Sequence, residues 1–277
     1  GAALDVFSKE PPEHHPLFDS EKVIVTPHLG ASTAEAQREA ATEVADQVLA
    51  VLSGKPAEYT VNAPFVLPEL QSVIAPYAQV ATQAGKLATQ LAEGQFEAII
   101  TRYEGEIAQY DTTVLKTAAL VGLLSPVTDE RVNMVNANII ATHRGLMISE
   151  HKSTTSNGHY GSLITVELKT TEGTTAVAGT SFRGEPHLVR INDYWLDVVP
   201  SGGYMLSIHH QDRPGLIGAV GTITGQHDIN ISFMEVGRLA HRGRAMMLFG
   251  LDDPIPDNVL EEIRAIPYIF SAKLVIL

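Results

Sequence analysis

One histidine lies between a short apolar run and a predicted helix. In residues 26–33 (TPHLGAST), His28 follows Val23-Ile24-Val25 and Pro27. Ligands of α/β sheets bind beyond the carboxyl ends of the strands. An imidazole that titrates near neutral pH can remove a proton from a substrate hydroxyl there. His28 is therefore a candidate general base, although its spacing alone favours a polar loop residue at a helix start.

A second group of polar residues precedes a helix near the end of the chain. In HHQDRPGLIG, Asp212 is predicted to cap the helix that follows, which would be a sufficient structural role. Alternatively, His210, Asp212 and the free N–H groups at the helix start could hold the ammonium and carboxylate of an amino acid. Asn230 begins the next strand, and we expect it near the same end of the sheet.

Other chemistry-bearing residues give weaker signals. The adjacent pairs His14-His15 and His209-His210 would not converge on one metal ion, and we expect no metal site. Five basic residues of the middle region could form an anion pocket, but scattered surface charge is the favoured interpretation. They are Arg131, Arg144, Lys152, Arg183 and Arg190.

Composition narrows the class of protein. The 277 residues carry a formal net charge of −13, which argues against nucleic acid and anionic membranes as partners. Cysteine is absent from the sequence, so disulfides and thiolate chemistry are excluded. No apolar run reaches 18 residues, and we expect a cytoplasmic protein. Because Gly1 lies at the start of a predicted strand, we also expect a piece of a longer polypeptide.

The elements that must position His28 form an α/β arrangement. A short buried strand is predicted at 2–7, then a proline-rich loop, then a strand at 22–26. A helix follows, with an S-x-x-E capping box at Ser32 and an end at Gly54 and Pro56. This order is typical of the last part of an α/β layer domain.

Two further regions are predicted. An α+β region has helices at 68–92, 112–124 and 129–141, a strand at 96–104, and a strand-rich stretch at 146–199 whose final strand is 187–199. After the break at 201–203, the order strand, helix, strand, strand, helix, strand is the ferredoxin-like βαββαβ pattern. These six elements are predicted at 204–209, 215–226, 229–236, 245–251, 257–266 and 269–276.

Together, the motifs resemble a known enzyme family. GAALDVF, the EPP at residues 10–12 and TPHLGAST are similar to the C-terminal part of the catalytic core of D-3-phosphoglycerate dehydrogenases, which are D-isomer-specific 2-hydroxyacid dehydrogenases. DRPG and DINIS resemble the ACT domain of the longer members, and the middle region resembles their intervening domain. The resemblance implies a multidomain α/β and α+β fold with the tail of a Rossmann-type domain at 1–30, a substrate-domain remnant at 31–65, an α+β intervening domain at 66–201 and a ferredoxin-like ACT domain at 202–277.

The resemblance also implies residue roles. His28 matches the catalytic acid/base, while Asp5, Gly30 and Ala31 match positions beside the nicotinamide of NAD. His210, Asp212 and Asn230 match positions that bind L-serine, the feedback inhibitor, between two ACT domains. We therefore expect a homodimer or homotetramer with an ACT–ACT contact, because exposed sheet edges invite such pairing.

Departures from the family pattern limit the expected activity. The family's catalytic arginine, the glutamate that orients the histidine and the Gly-rich dinucleotide loop are expected to lie upstream of Gly1. Few basic residues lie in 187–199, which puts an effector-anion site in doubt. The implied parent reaction is NAD-dependent oxidation of 3-phospho-D-glycerate in serine biosynthesis, and we expect the chain alone to be inactive. The alternatives are a stand-alone amino-acid-binding regulatory module and a mainly structural role in oligomerisation.

Overall fold

A computed structural model describes residues 1–53, 57, 59–156, 158–200 and 202–277. The predicted helix end at Gly54 and Pro56 lies outside the described residues. The chain divides into two compact units, residues 1–61 and 62–277, which are described separately below.

The first unit is built on two short parallel strands. Strand β1 (Ala2–Leu4) pairs with β2 (Val23–Val25), with Leu4 opposite Val25. Short 3-10 helices at Pro16–Asp19 and Gly30–Ser32 precede the long helix α1 (Ala34–Leu52). The prediction of a buried first strand is wrong, because β1 is mostly exposed.

Helix α1 begins one residue later than the predicted capping box. Thr33 is the N-cap, and its hydroxyl accepts a hydrogen bond from the Ala36 N–H at 3.2 Å. Ser32 instead ends the preceding 3-10 helix. Several large apolar side chains of α1 are exposed, among them Val44 and Val48.

The second unit begins with an α+β region, as predicted. Its six-stranded sheet has the order β4-β3-β5-β6-β7-β8 and is antiparallel except between β3 and β4. The elements are α2 (Gln71–Leu91), β3 (Phe96–Gly105), α3 (Thr113–Leu124), α4 (Ala137–His143), β4 (Met147–Ser153), β5 (Ser162–Thr170), β6 (Gly173–Phe182), β7 (Glu185–Ile191) and β8 (Tyr194–Val198), with 3-10 turns at Pro68–Leu70, Glu106–Gln109 and Ser125–Val127.

Two predicted elements of this region are wrong in extent. The helix predicted at 129–141 begins only at Ala137. Residues 129–133 are irregular and 134–136 form a turn, in which the Asn133 side chain accepts from the N–H groups of Val135 and Asn136. The single strand predicted at 187–199 is a hairpin of β7 and β8, which turns at Asn192 with a φ of 50°.

The last region confirms the βαββαβ order. Its four-stranded antiparallel sheet has the order β10-β11-β9-β12. The elements are β9 (Tyr204–Gln211), α5 (Leu216–Gln226), β10 (Ile231–Arg238), β11 (Arg244–Leu251), α6 (Asp257–Arg264) and β12 (Ile269–Ile276).

The two sheets of the second unit share one hydrophobic core. One face of the β9–β12 sheet packs on α5 and α6. The opposite face contributes Met205, Met246, Leu248 and Val275 to the core that contains α2 and α3. The Lys273 ammonium also pairs with the Glu93 carboxylate at 2.8 Å. The intervening and C-terminal regions therefore pack together as one compact body.

Within the described ranges, none of the helices is long and apolar enough to cross a membrane.

Candidate functional site

The site around His28 begins where β1 and β2 end. Because the strands run parallel, the residues that follow them, Asp5 and Thr26, emerge at the same edge. The Thr26 N–H donates to the Leu4 carbonyl at 3.0 Å, and the Thr26 hydroxyl donates to Asp5. His28 follows in a tight turn with a φ of 60°.

Glu10 orients His28. The proline-rich loop returns to the end of β2, where His28 Nδ1 lies 2.7 Å from Glu10 Oε2. The other oxygen of Glu10 accepts a hydrogen bond from the Phe7 N–H at 2.9 Å. The expectation that the orienting glutamate lies outside this chain is therefore wrong, because Glu10 takes that position.

The Glu10–His28 pair shifts both titrations. The pKa of Glu10 is lowered, first by the Phe7 N–H and then by His28. The pKa of His28 is raised, chiefly by its hydrogen bond to Glu10. An ionised carboxylate can only accept, so neutral His28 carries its proton on Nδ1. Nε2 remains as the basic nitrogen, as in a carboxylate–imidazole pair.

A cavity of about 330 Å³ lies beside this pair. Its walls are mainly apolar and include Phe7, Pro11 and Pro27, and both His28 and Glu10 line it. Apolar walls around a few convergent polar groups are typical of small-molecule sites.

The predicted cofactor-binding residues lie beside His28. Asp5 accepts from the Leu29 and Gly30 N–H groups, each at 2.7 Å. These bonds and the Thr26 hydroxyl, the largest effect, lower the pKa of Asp5. Gly30 and Ala31 begin a 3-10 helix and are exposed, so their backbone is accessible to a flat ring. Asp5, Gly30 and Ala31 are thus brought together with His28.

In the second unit, His210 lies at the end of β9 and is 3% exposed. Its Nδ1 lies 2.9 Å from the Gln211 carbonyl, which can only accept. Its Nε2 is sequestered from solvent without a hydrogen-bond partner among the described residues. A buried nitrogen without a partner carries a desolvation penalty that a ligand could offset.

Asp212 does not cap helix α5, contrary to the prediction. The N-cap is Gly215, and no side chain among the described residues caps this helix. Asp212 instead accepts from the Arg242 N–H at 3.1 Å and from Arg238 at 3.3 Å. Burial alone would raise the pKa of Asp212, but these two groups lower it. The first N–H groups of α5 have no side-chain partner among the described residues, and open N–H groups at a helix start suit an anion.

Asn230 lies at the opposite end of the sheet from His210, so the prediction of a shared end is wrong. Asn230 precedes β10, whose first residue pairs with Leu251 and thereby lies near Tyr204 at the start of β9. Six residues of extended strand separate Tyr204 from His210, about 20 Å. The Asn230 amide donates to Asp252 at 2.7 Å. One chain therefore does not assemble all three predicted effector residues.

The remaining candidates do not converge. Arg144 donates to the Val127 carbonyl and Lys152 to the Tyr110 carbonyl, while Arg190 lies over the Trp195 ring. Among the described residues, no cluster of three or more histidine or acidic side chains could hold a metal ion.

The first test concerns the Glu10–His28 pair. In Glu10→Gln, the pKa of His28 should fall, because an uncharged amide no longer stabilises the imidazolium. The neutral imidazole then forms at lower pH. A titration followed by proton NMR measures this, with the His28 signal assigned by its loss in His28→Gln.

Glu13→Gln is the matched control. Glu13 lies in the same loop and pairs with Lys9 at 3.1 Å, so its substitution should leave the His28 titration unchanged. An unchanged pKa of His28 in Glu10→Gln would contradict the pairing.

Three protein families match successive parts of the chain. Residues 1–30 match the NAD binding domain of D-isomer specific 2-hydroxyacid dehydrogenases. Residues 73–192 match the D-3-phosphoglycerate dehydrogenase intervening domain, and residues 204–268 match the ACT domain. The first range contains β1, β2 and His28, the second contains β3 to β7 of the six-stranded sheet, and the third contains β9 to α6 of the βαββαβ region.

Curated relatives match almost the whole chain. D-3-phosphoglycerate dehydrogenase of Synechocystis is 40% identical over 99% of this chain and 50% of its own length. The enzymes of that name from Bacillus subtilis and Methanocaldococcus jannaschii are 39% and 38% identical, over 99% of this chain and 52% of their lengths. The chain spans about half the length of these relatives. It is thus similar, from end to end, to the C-terminal half of long D-3-phosphoglycerate dehydrogenases, with their intervening and ACT domains.

Proposed function

We propose that this chain supplies the acid/base pair of an NAD-dependent dehydrogenase that oxidises 3-phospho-D-glycerate to 3-phosphohydroxypyruvate. The observation that carries the proposal is the 2.7 Å contact between His28 Nδ1 and Glu10, beside a cavity that both residues line. Relatives that share 38–40% identity bear the name of this enzyme.

In this proposal His28 moves the proton and Glu10 fixes its ring. His28 Nε2 takes the proton of the substrate C2 hydroxyl, and the developing imidazolium is stabilised by the Glu10 carboxylate. Glu10 keeps its charge because the Phe7 N–H and His28 lower its pKa. In the reverse direction, the imidazolium returns the proton to the carbonyl oxygen.

The residues present fit a nicotinamide cofactor. NAD, when bound, accepts the hydride from C2 of the substrate. The exposed backbone of Gly30 and Ala31 would lie against the nicotinamide ring, and Asp5 would accept from its carboxamide. Asp5 Oδ2 accepts one hydrogen bond in the structure, and a carboxylate oxygen has room for a second.

The test of the dehydrogenase proposal uses the polypeptide that contains this chain, expressed from its own reading frame. NADH formation from 3-phospho-D-glycerate is followed by absorbance. His28→Gln should lower kcat at least about 100-fold, since general-base catalysis contributes about that much or more. Glu10→Gln should lower kcat and move the acid limb of the pH profile to lower pH, because the pKa of His28 falls. His14→Gln, in the same loop, is the control.

Full NADH formation by His28→Gln would contradict the assignment of the base. The 277-residue chain, which has no G-x-G-x-x-G loop, should form no NADH by itself. If the longer polypeptide also forms none while the chain binds L-serine, the alternative of an amino-acid-binding regulatory module holds instead.

We propose further that the ACT region binds L-serine between two copies of the chain. His210 supplies a buried Nε2 without a partner, Asp212 a carboxylate, and α5 an open helix start. These groups suit the ammonium and carboxylate of an amino acid. Asn230 lies at the far end of the same sheet, so only a second copy can bring an Asn230 to this site.

An antiparallel pairing of edge strands supplies that geometry. Strand β10 is an edge of its sheet. If two copies pair along β10 about Met234, which is exposed, Asn230 of one copy lies opposite Arg238 of the other, and Arg238 contacts Asp212. We propose a homodimer, or a homotetramer that contains this dimer, with two effector sites related by the two-fold axis.

We assign the domain boundaries accordingly. The proposed domains are 1–30 for the nucleotide-binding remnant, 31–65 for the substrate-domain remnant, 66–201 for the intervening domain and 202–277 for the ACT domain. The end of the first compact unit at Val61 and the matched ranges support this division.

Mixing two defective variants tests the two-copy site. Asp212→Ala and Asn230→Ala should each abolish L-serine binding in calorimetry. When equal amounts are unfolded together and refolded, half the dimers are mixed and each regains one intact site. The stoichiometry should therefore return to about a quarter of the unsubstituted value, because a two-fold interface shares each site between copies.

Asn258→Ala, on the exposed surface of α6, is the control and should bind normally. No recovery in the mixture, with both variants folded, would place the site within one chain. Absence of any L-serine binding by the unsubstituted chain would favour a purely structural role for the ACT region.

A further inference from the structure

Asp5 is the most heavily bonded side chain next to His28. Its Oδ1 accepts from the Thr26 hydroxyl and from the Leu29 N–H, and its Oδ2 accepts from the Gly30 N–H. The two amide bonds are each 2.7 Å long. All three donors lie within two residues of His28, on both sides of it. Asp5 therefore ties together the turn that carries the imidazole.

The backbone conformation of that turn requires stabilisation by other contacts. His28 has a φ of 60°, in the left-handed region that is unfavourable for a residue with a Cβ. Leu29 is the N-cap and Gly30 the first residue of a short 3-10 helix, whose first N–H groups have no partner within the helix. Asp5 accepts hydrogen bonds from both N–H groups. These two charge-assisted hydrogen bonds stabilise the turn in which His28 is left-handed.

We propose that Asp5 and Thr26 are positioning residues, which hold the His28 turn so that the imidazole meets Glu10 and presents Nε2 to the cavity. The proposal rests on the proposed role of His28 as a base, and it gives Asp5 a role besides any contact with the cofactor. Thr26 acts through Asp5, because its hydroxyl fixes the carboxylate that binds Leu29 and Gly30.

Strand register explains why these two residues can cooperate. Leu4 pairs with Val25, so Asp5 and Thr26 are the next residues on both strands. The contact is also close. A Cβ added at Gly30 would lie 3.1 Å from Asp5 Oδ2, which leaves little space for a larger residue. The carboxylate and the turn thus fit each other at the end of the sheet.

Thr26→Val tests the proposal on the 277-residue chain without substrate. Valine has the same shape as threonine but no hydroxyl, and Asp5 keeps its charge. Exchange of the Leu29 and Gly30 amide hydrogens should accelerate on the order of tenfold, the effect of weakening about one hydrogen bond. The pKa of His28 should fall, since a looser turn weakens the Glu10 contact that raises it.

Three further variants make the test decisive. Asp5→Asn should accelerate the same amides more strongly, because it removes the charge that accepts them. Thr26→Ser should behave like the unsubstituted chain, since it keeps the hydroxyl. Thr33→Val removes the hydroxyl that caps α1, which makes no hydrogen bond to Asp5. It should leave the pKa of His28 unchanged.

The proposal is overturned if both Thr26→Val and Asp5→Asn leave the exchange of the Leu29 and Gly30 amide hydrogens unchanged and also leave the pKa of His28 unchanged. A loss of all histidine dispersion in Asp5→Asn would report unfolding, and Thr26→Val then decides. These measurements need no turnover, so their failure is distinct from a failure of the dehydrogenase proposal, which the NADH assay reports.

Discussion

The parallel pairing of β1 and β2 is the constraint on which the His28 site depends. Three residues on each strand fix the register. Because the strands are parallel and in this register, the residues that follow them leave the sheet at the same edge. Asp5 and Thr26 emerge side by side, and the proline-rich loop returns Glu10 to the same edge, where it contacts His28. A shift of register by one residue would separate Asp5 from the turn, because neighbouring strand residues face opposite sides.

The ACT region depends on a comparable long-range constraint. The helix between β9 and β10 crosses back along the sheet, so two strands that are close in sequence begin at the same end. His210 and Asp212 therefore lie at one end and Asn230 at the other. One chain therefore does not bring the three proposed effector residues together, which is why we propose a site shared between two copies. The face of the sheet opposite α5 and α6 packs against the intervening region, so it is not available to a second copy.

The sequence predicted local features well and contacts across loops poorly. The βαββαβ order follows from the order of the predicted elements along the chain, and it was confirmed. The Glu10–His28 pair was missed because 18 residues of loop and strand separate the two side chains. The position of Asn230 was predictable in principle, since a crossover between parallel strands returns the chain to the end at which the first strand began, and His210 lies where that strand ends. The turn after Asn133 was not predicted, because the hydrogen bonds that its side chain accepts from the Val135 and Asn136 N–H groups compete with the predicted helix.

The tautomer of His28 tests the central claim most directly. With histidines labelled with 15N in the 277-residue chain, NMR above the pKa of His28 distinguishes the protonated ring nitrogen from the unprotonated one. The Glu10 contact predicts that neutral His28 carries its proton on Nδ1, so that Nε2 shows the shift of an unprotonated nitrogen. A neutral His28 that carries its proton on Nε2 would contradict the account, because that nitrogen could not then act as the base.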